Sequence, residues 1–81
     1  MMPKVTDAKY VRDFIIHLRF SDGTEGNIDL REEIYGEIFK PLKNREIFEN
    51  FSIHPDFHTL CWENGADFAP EFLYEKVQIK V

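Results

Sequence analysis

Phe14-Ile15-Ile16-His17-Leu18-Arg19-Phe20, then Ser21-Asp22-Gly23, then Thr24-Glu25-Gly26-Asn27-Ile28-Asp29-Leu30, is the stretch that decides the fold. Phe14, Ile16, Leu18 and Phe20 share one face of an extended chain, and Ile15, His17 and Arg19 share the other. Period two over seven residues marks a strand. The segment after the turn alternates as well, with Gly26, Ile28 and Leu30 opposite Glu25, Asn27 and Asp29.

Parity selects the turn between them. A two-residue loop at Asp22-Gly23 would set Phe20 against Glu25 and Leu18 against Asn27, mixing polar and apolar groups on one face. A one-residue slip carries every side chain to the wrong side, so that pairing loses. A three-residue loop, Ser21 to Gly23, sets Phe20 against Thr24, Leu18 against Gly26 and Ile16 against Ile28. It also places Arg19 opposite Glu25 and leaves Gly23 at the left-handed position such loops require. Val5 to Val11 precedes this hairpin as a less regular strand, which predicts a three-stranded antiparallel meander.

Beyond the meander, Asp29 and Glu32 have the spacing of a capping box and predict a short helix from Leu30 to Tyr35, stopped by Gly36. Pro41 should break any turn over Ile38 to Lys40. Asn44 can cap a second short helix carrying Ile47, Phe48 and Phe51. A second hairpin follows from Phe51 to Trp62, with a loop from Pro55 to His58 that pairs Ile53 with Leu60 and Phe51 with Trp62. Asn64-Gly65 reads as a two-residue turn. Counted that way, Phe68 lands opposite Cys61 on the wrong face, so Ala66 to Ala69 either returns with both faces covered or leaves the sheet. Pro70 opens a final helix to about Lys76, with Leu73 and Val77 stacked at i and i+4. Val77, Ile79 and Val81 then alternate with Gln78 and Lys80, a pattern that fits a docked terminus or an edge strand able to pair two copies. The fold class read from this order is α+β: one domain over residues 1–81, a small antiparallel sheet built from hairpins, with short helices packed on it.

Composition bounds the function. The chain has 81 residues, 10 Lys+Arg against 15 Asp+Glu and a net charge of −5. Its longest wholly apolar run is three residues, far short of the roughly 20 a membrane helix needs. A single cysteine makes no internal disulfide and fits a reducing, cytoplasmic setting. An acidic chain is poorly suited to neutralising phosphates, so direct nucleic-acid binding is not expected. Eight Phe, three Tyr and one Trp supply the bulk so small a core needs.

Several ordered motifs, Pro3-Lys4-Val5-Thr6-Asp7, Phe20-Ser21-Asp22-Gly23-Thr24-Glu25-Gly26, Asp29-Leu30, Gly36-Glu37-Ile38-Phe39-Lys40-Pro41-Leu42, Trp62-Glu63-Asn64-Gly65-Ala66-Asp67 and Pro70-Glu71-Phe72-Leu73-Tyr74-Glu75, together resemble a family of small bacterial proteins catalogued as domain of unknown function 2442. The resemblance spans about residues 2 to 77. It implies a compact α+β domain, brings no established reaction and carries no catalytic residue over to this chain. Some relatives add a helix-turn-helix domain and others lie beside small toxin-like genes, which implies an antitoxin-like or regulatory role.

Few residues invite a chemical reading. His54, His58 and Cys61, near Asp56 and Glu63, have a spacing that could contribute to a zinc site, yet a fourth ligand is wanting. Loop histidines and a small buried thiol account for the same pattern more simply. His17 would need an orienting carboxylate and a nucleophile; Ser21 and Asp29 are near in sequence but are explained by the turn and the cap. Phosphate loops, dinucleotide fingerprints and nucleophile elbows are missing from the sequence. Neither a cofactor nor a catalytic residue is therefore expected. Lys40, Lys43 and Arg45 form one small basic cluster.

The leading expectation is an interaction module with a protein partner, a basic toxin-like protein being the best fit to an acidic first half. Tyr35 and Phe39, with Glu32, Glu33 and Glu37, are the candidate partner-binding residues, because exposed aromatics anchor interfaces and acidic fields select basic partners. The alternative is a nucleic-acid-associated regulatory domain, and a metal-dependent enzyme ranks last.

Overall fold

A computed structural model describes residues 3–78. Strands β1 (Val5–Arg12), β2 (Ile15–Phe20) and β3 (Glu25–Asp29) form an antiparallel sheet in the order β1-β2-β3. The β2–β3 register pairs Ile16 with Ile28, Leu18 with Gly26 and Arg19 with Glu25, as side-chain parity requires. The Phe20 amide donates to the Thr24 carbonyl, closing the three-residue loop, and Gly23 holds φ +92°. The irregularity of β1 also has a cause: its pairing with β2 shifts between Val5 and Asp7 and again between Tyr10 and Arg12. Each bulge resets the alternation, so no single parity runs along the strand.

Between the sheet and the second hairpin, two expectations are corrected. Residues 31–33 form a turn, not a helix from Leu30 to Tyr35. The Asp29 carboxylate accepts the Arg31 amide two residues on and the Glu33 amide donates to the Leu30 carbonyl, so the chain makes a single turn and stops, with the Leu30 amide, free in any helix start, donating to the Phe14 carbonyl. Leu30 and Ile34 are buried all the same. Pro41, expected to break the chain, lies inside a 3-10 segment, Glu37–Lys43. Proline brings no N–H for the Ile38 carbonyl three residues back, and the Asn64 side-chain amide donates to that carbonyl instead, at 2.8 Å. Helix α1 (Arg45–Phe48) is a single turn, with the Asn44 side chain accepting the Glu46 amide at 2.9 Å. Of its apolar positions Phe48 is fully buried, whereas Ile47 faces solvent.

The second hairpin has the predicted register. Strands β4 (Ser52–Ile53) and β5 (Leu60–Cys61) pair Ile53 with Leu60, and the Phe51 and Trp62 rings lie 6.5 Å apart. The next turn is one residue longer than predicted. The Trp62 amide donates to the Ala66 carbonyl and the Phe68 amide to Leu60, so the loop is Glu63-Asn64-Gly65, with Cys61 bridged to Asp67. That extra residue restores parity and turns Phe68 inward. Helix α2 (Pro70–Gln78) buries Leu73 and Val77. Val77 and Gln78 are thus helical, not the start of an edge strand; residues 79–81 of the proposed pairing tail lie outside the described residues.

One core joins these pieces. Val5, Ile16, Leu18, Phe20 and Ile28 of the sheet meet Leu30, Ile34, Leu42, Phe48, Leu60, Trp62, Phe68, Leu73 and Val77. The accessible surface is 5488 Å², against about 14,000 Å² for an extended chain of this mass, so about three-fifths is buried. Rings fill much of the interior. Phe48 meets Phe14 edge-on at 5.1 Å and tilts against Trp62 at 5.7 Å, while the Trp62 indole N–H donates to the Phe48 carbonyl at 2.8 Å. Among the described residues, every buried side-chain nitrogen and oxygen has a partner, which a core this small needs to avoid a desolvation penalty.

Candidate interaction surface

Of the eight phenylalanines only Phe57 is largely exposed, at 67%, and Tyr35 stands out further still at 70%. The two flank one feature. Between α2 and the 3-10 segment, Phe39, Phe68 and Phe72 stack in a row, with centroids 4.9 and 5.6 Å apart and ring planes within 26° of parallel. The stack follows from the turn at Glu63-Asn64-Gly65, which turns Phe68 inward, and from Pro70, which starts α2 so that Phe72 comes up beside it.

A groove of about 290 Å³ runs along this stack, lined by Tyr35, Phe39, Phe68, Ala69 and Phe72 with the carboxylates of Glu33 and Asp67. A second depression, of about 500 Å³, continues past Asp67, Phe68 and Ala69 to Phe57 and Glu71. Among the described residues no lysine or arginine lines either one. The Glu33 carboxylate is 3.3 Å from the Lys76 ammonium, whereas Asp67 forms no ion pair among the described residues.

Three of the five predicted partner-binding residues, Tyr35, Phe39 and Glu33, therefore meet at one groove. Glu32 lines a separate depression with Asp29, Arg31 and Lys76, and the exposed Glu37 at the start of the 3-10 segment lines neither groove. Sequence reasoning missed Phe57, Asp67, Glu71 and Phe72. An aromatic in the turn Pro55-Asp56-Phe57-His58 was a legible signal, since a loop has little use for a buried ring; the others depend on how α2 docks.

The remaining candidates have structural occupations. His54 Nδ1 accepts the backbone amides of Asp56 and Phe57, and its ring lies against Phe57. His58 takes a left-handed conformation at φ +53°, and its carbonyl accepts the Val5 amide. Cys61 is half-buried, with its Sγ 3.5 Å from the Ser52 hydroxyl. The described residues bring no three acidic, histidine or cysteine side chains together as a metal-holding group, so His54, His58 and Cys61 do not converge. Ser21 accepts the Lys4 amide through its Oγ. Lys40 and Lys43 are exposed, and Arg45 reaches Asp13 at 3.4 Å.

On the outer face of the meander, His17 Nε2 donates to Glu25 at 2.9 Å and Nδ1 donates to Asn27 at 2.7 Å. The Glu25 bond first and the Asn27 bond second hold the imidazole above its ordinary pKa, with Arg19 opposing. The same contact, with Arg19 adding to it, lowers the Glu25 carboxyl. Asp22 is lowered chiefly because Tyr74 donates its hydroxyl to it at 2.6 Å.

These features define a small α+β domain whose most distinctive surface is an aromatic groove rimmed by carboxylates. The chain belongs to the family described as protein of unknown function (DUF2442), whose model matches residues 5–78. No curated protein and no solved structure matches it. No described helix is long and apolar enough to cross a membrane.

Proposed function

We propose that the protein is a small cytoplasmic interaction module without catalysis of its own, which seats a basic protein partner in the groove between Tyr35 and Phe57. In its narrowest form the reading is antitoxin-like: the acidic module binds and shields a small basic toxin. The observation that carries it is the exposure of two large aromatics on either side of Asp67-Phe68-Ala69, with Glu33, Asp67 and Glu71 alongside. Exposed rings beside a ready-made apolar floor are the usual anchors of an interface. Asp67 and Glu71, which make no ion pair among the described residues, select a basic partner and speed its approach. The net charge of −5 points the same way.

The test is capture of partners from the native host by the tagged chain and by its Tyr35→Ala and Phe57→Ala variants, both exposed changes that leave the core intact. The expected result is a basic protein, recovered in stoichiometric yield by wild type and lost with either variant. Recovery of no such protein, or of one indifferent to both changes, overturns the reading. A gel shift at low salt tests the nucleic-acid alternative: tight binding by this acidic chain would reverse the ranking.

A further inference from the structure

The groove beside Tyr35 has the chemistry for one particular side chain, and we infer that it takes the guanidinium of an arginine presented by the partner. The inference rests on the interaction reading above and specifies what that interaction recognises. Three observations support it. First, the floor is a row of flat rings, Phe39, Phe68 and Phe72, each within 26° of its neighbour, with the 70%-exposed Tyr35 at the rim. A planar cation is drawn to ring faces, so it adds at an open end of the stack or on Tyr35 at the rim, not along the ring edges. Second, the Asp67 carboxylate at the groove is exposed and makes no ion pair among the described residues, so it is free to receive a donor. Glu33 on the same lining is already held by Lys76, which leaves Asp67 as the acceptor. Third, at about 290 Å³ the groove is open and lies at the floor of the size range of small-molecule sites. Its dimensions suit one side chain on a longer partner, whose continuation would follow the depression toward Phe57 and Glu71.

Arginine fits better than lysine. The guanidinium is flat, stacks on aromatic rings and offers a fork of N–H donors matched to a carboxylate, whereas an ammonium supplies only a compact charge. The fit requires no movement of the core, since Tyr35 and Asp67 are both exposed and Phe39 and Phe72 are half-buried in place.

The test titrates the ¹⁵N-labelled chain with an acetylated, amidated pentapeptide of four glycines around a central arginine, and with its lysine and citrulline counterparts. Citrulline keeps the planar shape and removes the charge. The expected result is saturable shifts at the amides of Tyr35, Asp67 and Phe72 with the arginine peptide. Affinity should fall by about threefold or more for citrulline, for Asp67→Asn and for Tyr35→Leu, the size of an exposed cation–π contact or ion pair. Glu46→Gln, an exposed acid elsewhere, should bind like wild type. Equal binding of arginine and citrulline, equal loss in Asp67→Asn and Glu46→Gln, or shifts spread over the acidic surface would overturn the inference. The two readings fail separately. A host partner lost with Tyr35→Ala but retained by Asp67→Asn would keep the interaction module and remove the arginine site. Saturable, citrulline-sensitive arginine binding without a Tyr35-dependent host partner would do the reverse.

Discussion

Val77 lies against the bare backbone of Gly26: a β-carbon at position 26 would sit 3.1 Å from Val77 Cγ1. This contact is where the last helix meets the edge strand of the meander, and it explains the glycine on the inward face of β3 by close approach, not by backbone conformation. A larger side chain there has to push α2 away from the sheet. Gly26→Val should destabilise the fold by about 1–3 kcal/mol through overpacking, which corresponds to roughly 4–8 °C of Tm for each kcal/mol in a domain of this size. Val77→Ala on its own also destabilises, but paired with Gly26→Ala it should cost less than the two single changes combined. Strict additivity in that double-mutant cycle would show that the two positions do not press on each other.

The two turns that end on Gly23 and Gly65 should respond alike. Both glycines have φ +92°, and in both loops the preceding side chain accepts the amide two residues on, Asp22 from Thr24 at 2.9 Å and Asn64 from Ala66 at 3.0 Å. Gly23→Val and Gly65→Val should each cost about 1–3 kcal/mol, because a β-branched residue is strained at that dihedral. Asp22→Ser should cost less, since a serine can still receive the turn amide, although it gives up the Tyr74 hydroxyl. Denaturant unfolding of the three variants checks the order, and a Gly23→Val protein as stable as Asp22→Ser would contradict it.

Stability should depend on pH through His17. Its folded pKa is raised above the ordinary 6.5 by Glu25 and Asn27. The proton is therefore bound more tightly in the folded chain, and the contribution is fully present below the unfolded pKa and lost as pH rises through the folded one. Lys9 lies opposite His17 on β1, and Arg19 is close on β2; both cations oppose the effect or leave it unchanged. Glu25 and Asp22 act at the other end. Their folded values are lowered from 4.5 and 3.8, so their contributions hold above those values and fade as pH falls through the folded ones. Denaturation midpoints should thus decline on both sides of a maximum near pH 5–6. Glu25→Gln should flatten the alkaline side, and an NMR titration of the His17 ring reads the raised pKa directly. A ring titrating at or below 6.5 would refute the account.

The indole of Trp62 should matter for its nitrogen as well as its bulk. Its N–H is the partner of the Phe48 carbonyl in the centre of the ring cluster. Trp62→Phe keeps an aromatic ring but leaves that buried acceptor without a donor, at a cost of about 1–3 kcal/mol beyond the lost packing. Circular dichroism during urea unfolding measures it.

Surface and core aromatics should separate cleanly. Tyr35→Ala, at an exposed position, should change stability by no more than about 0.5 kcal/mol, whereas Phe68→Ala, in the middle of the ring stack, should cost about 3–5 kcal/mol. If Tyr35→Ala proved as damaging as Phe68→Ala, the tyrosine would belong to the core and the groove would lose its rim.

Two turns show how far sequence reasoning reaches and where it stops. Parity alone chose the three-residue loop at Ser21-Asp22-Gly23, and the β2–β3 register agrees. At Asn64-Gly65 the familiar dipeptide suggested two residues, and the misplaced Phe68 that resulted was the sign that one more belonged to the loop. Applied there, the same parity would have produced Glu63-Asn64-Gly65 and an inward Phe68. The failed helix at Leu30 to Tyr35 is different in kind. Its cap signal is genuine, since Asp29 does accept the Arg31 amide, but the segment ends after the one turn that the Glu33 amide closes on Leu30, and the burial of Leu30 and Ile34 in the core is a tertiary matter that nothing local in the sequence announces.

By itself, then, the sequence determined the elements whose information is local: the alternation of β2 and β3, the left-handed glycine at position 23, the Asn44 cap and the Leu73–Val77 spacing of α2. Periodicity and turn chemistry act between residues a few positions apart, so they can be read from order alone. The groove was decided only by tertiary structure. Tyr35, Phe57, Asp67 and Phe72 come from four separate segments, and whether a ring faces solvent or the interior depends on what packs against it. Length and charge could announce an acidic, aromatic chain; only the docking of α2 and the 3-10 segment over the second hairpin brought the Asp67 carboxylate beside exposed rings.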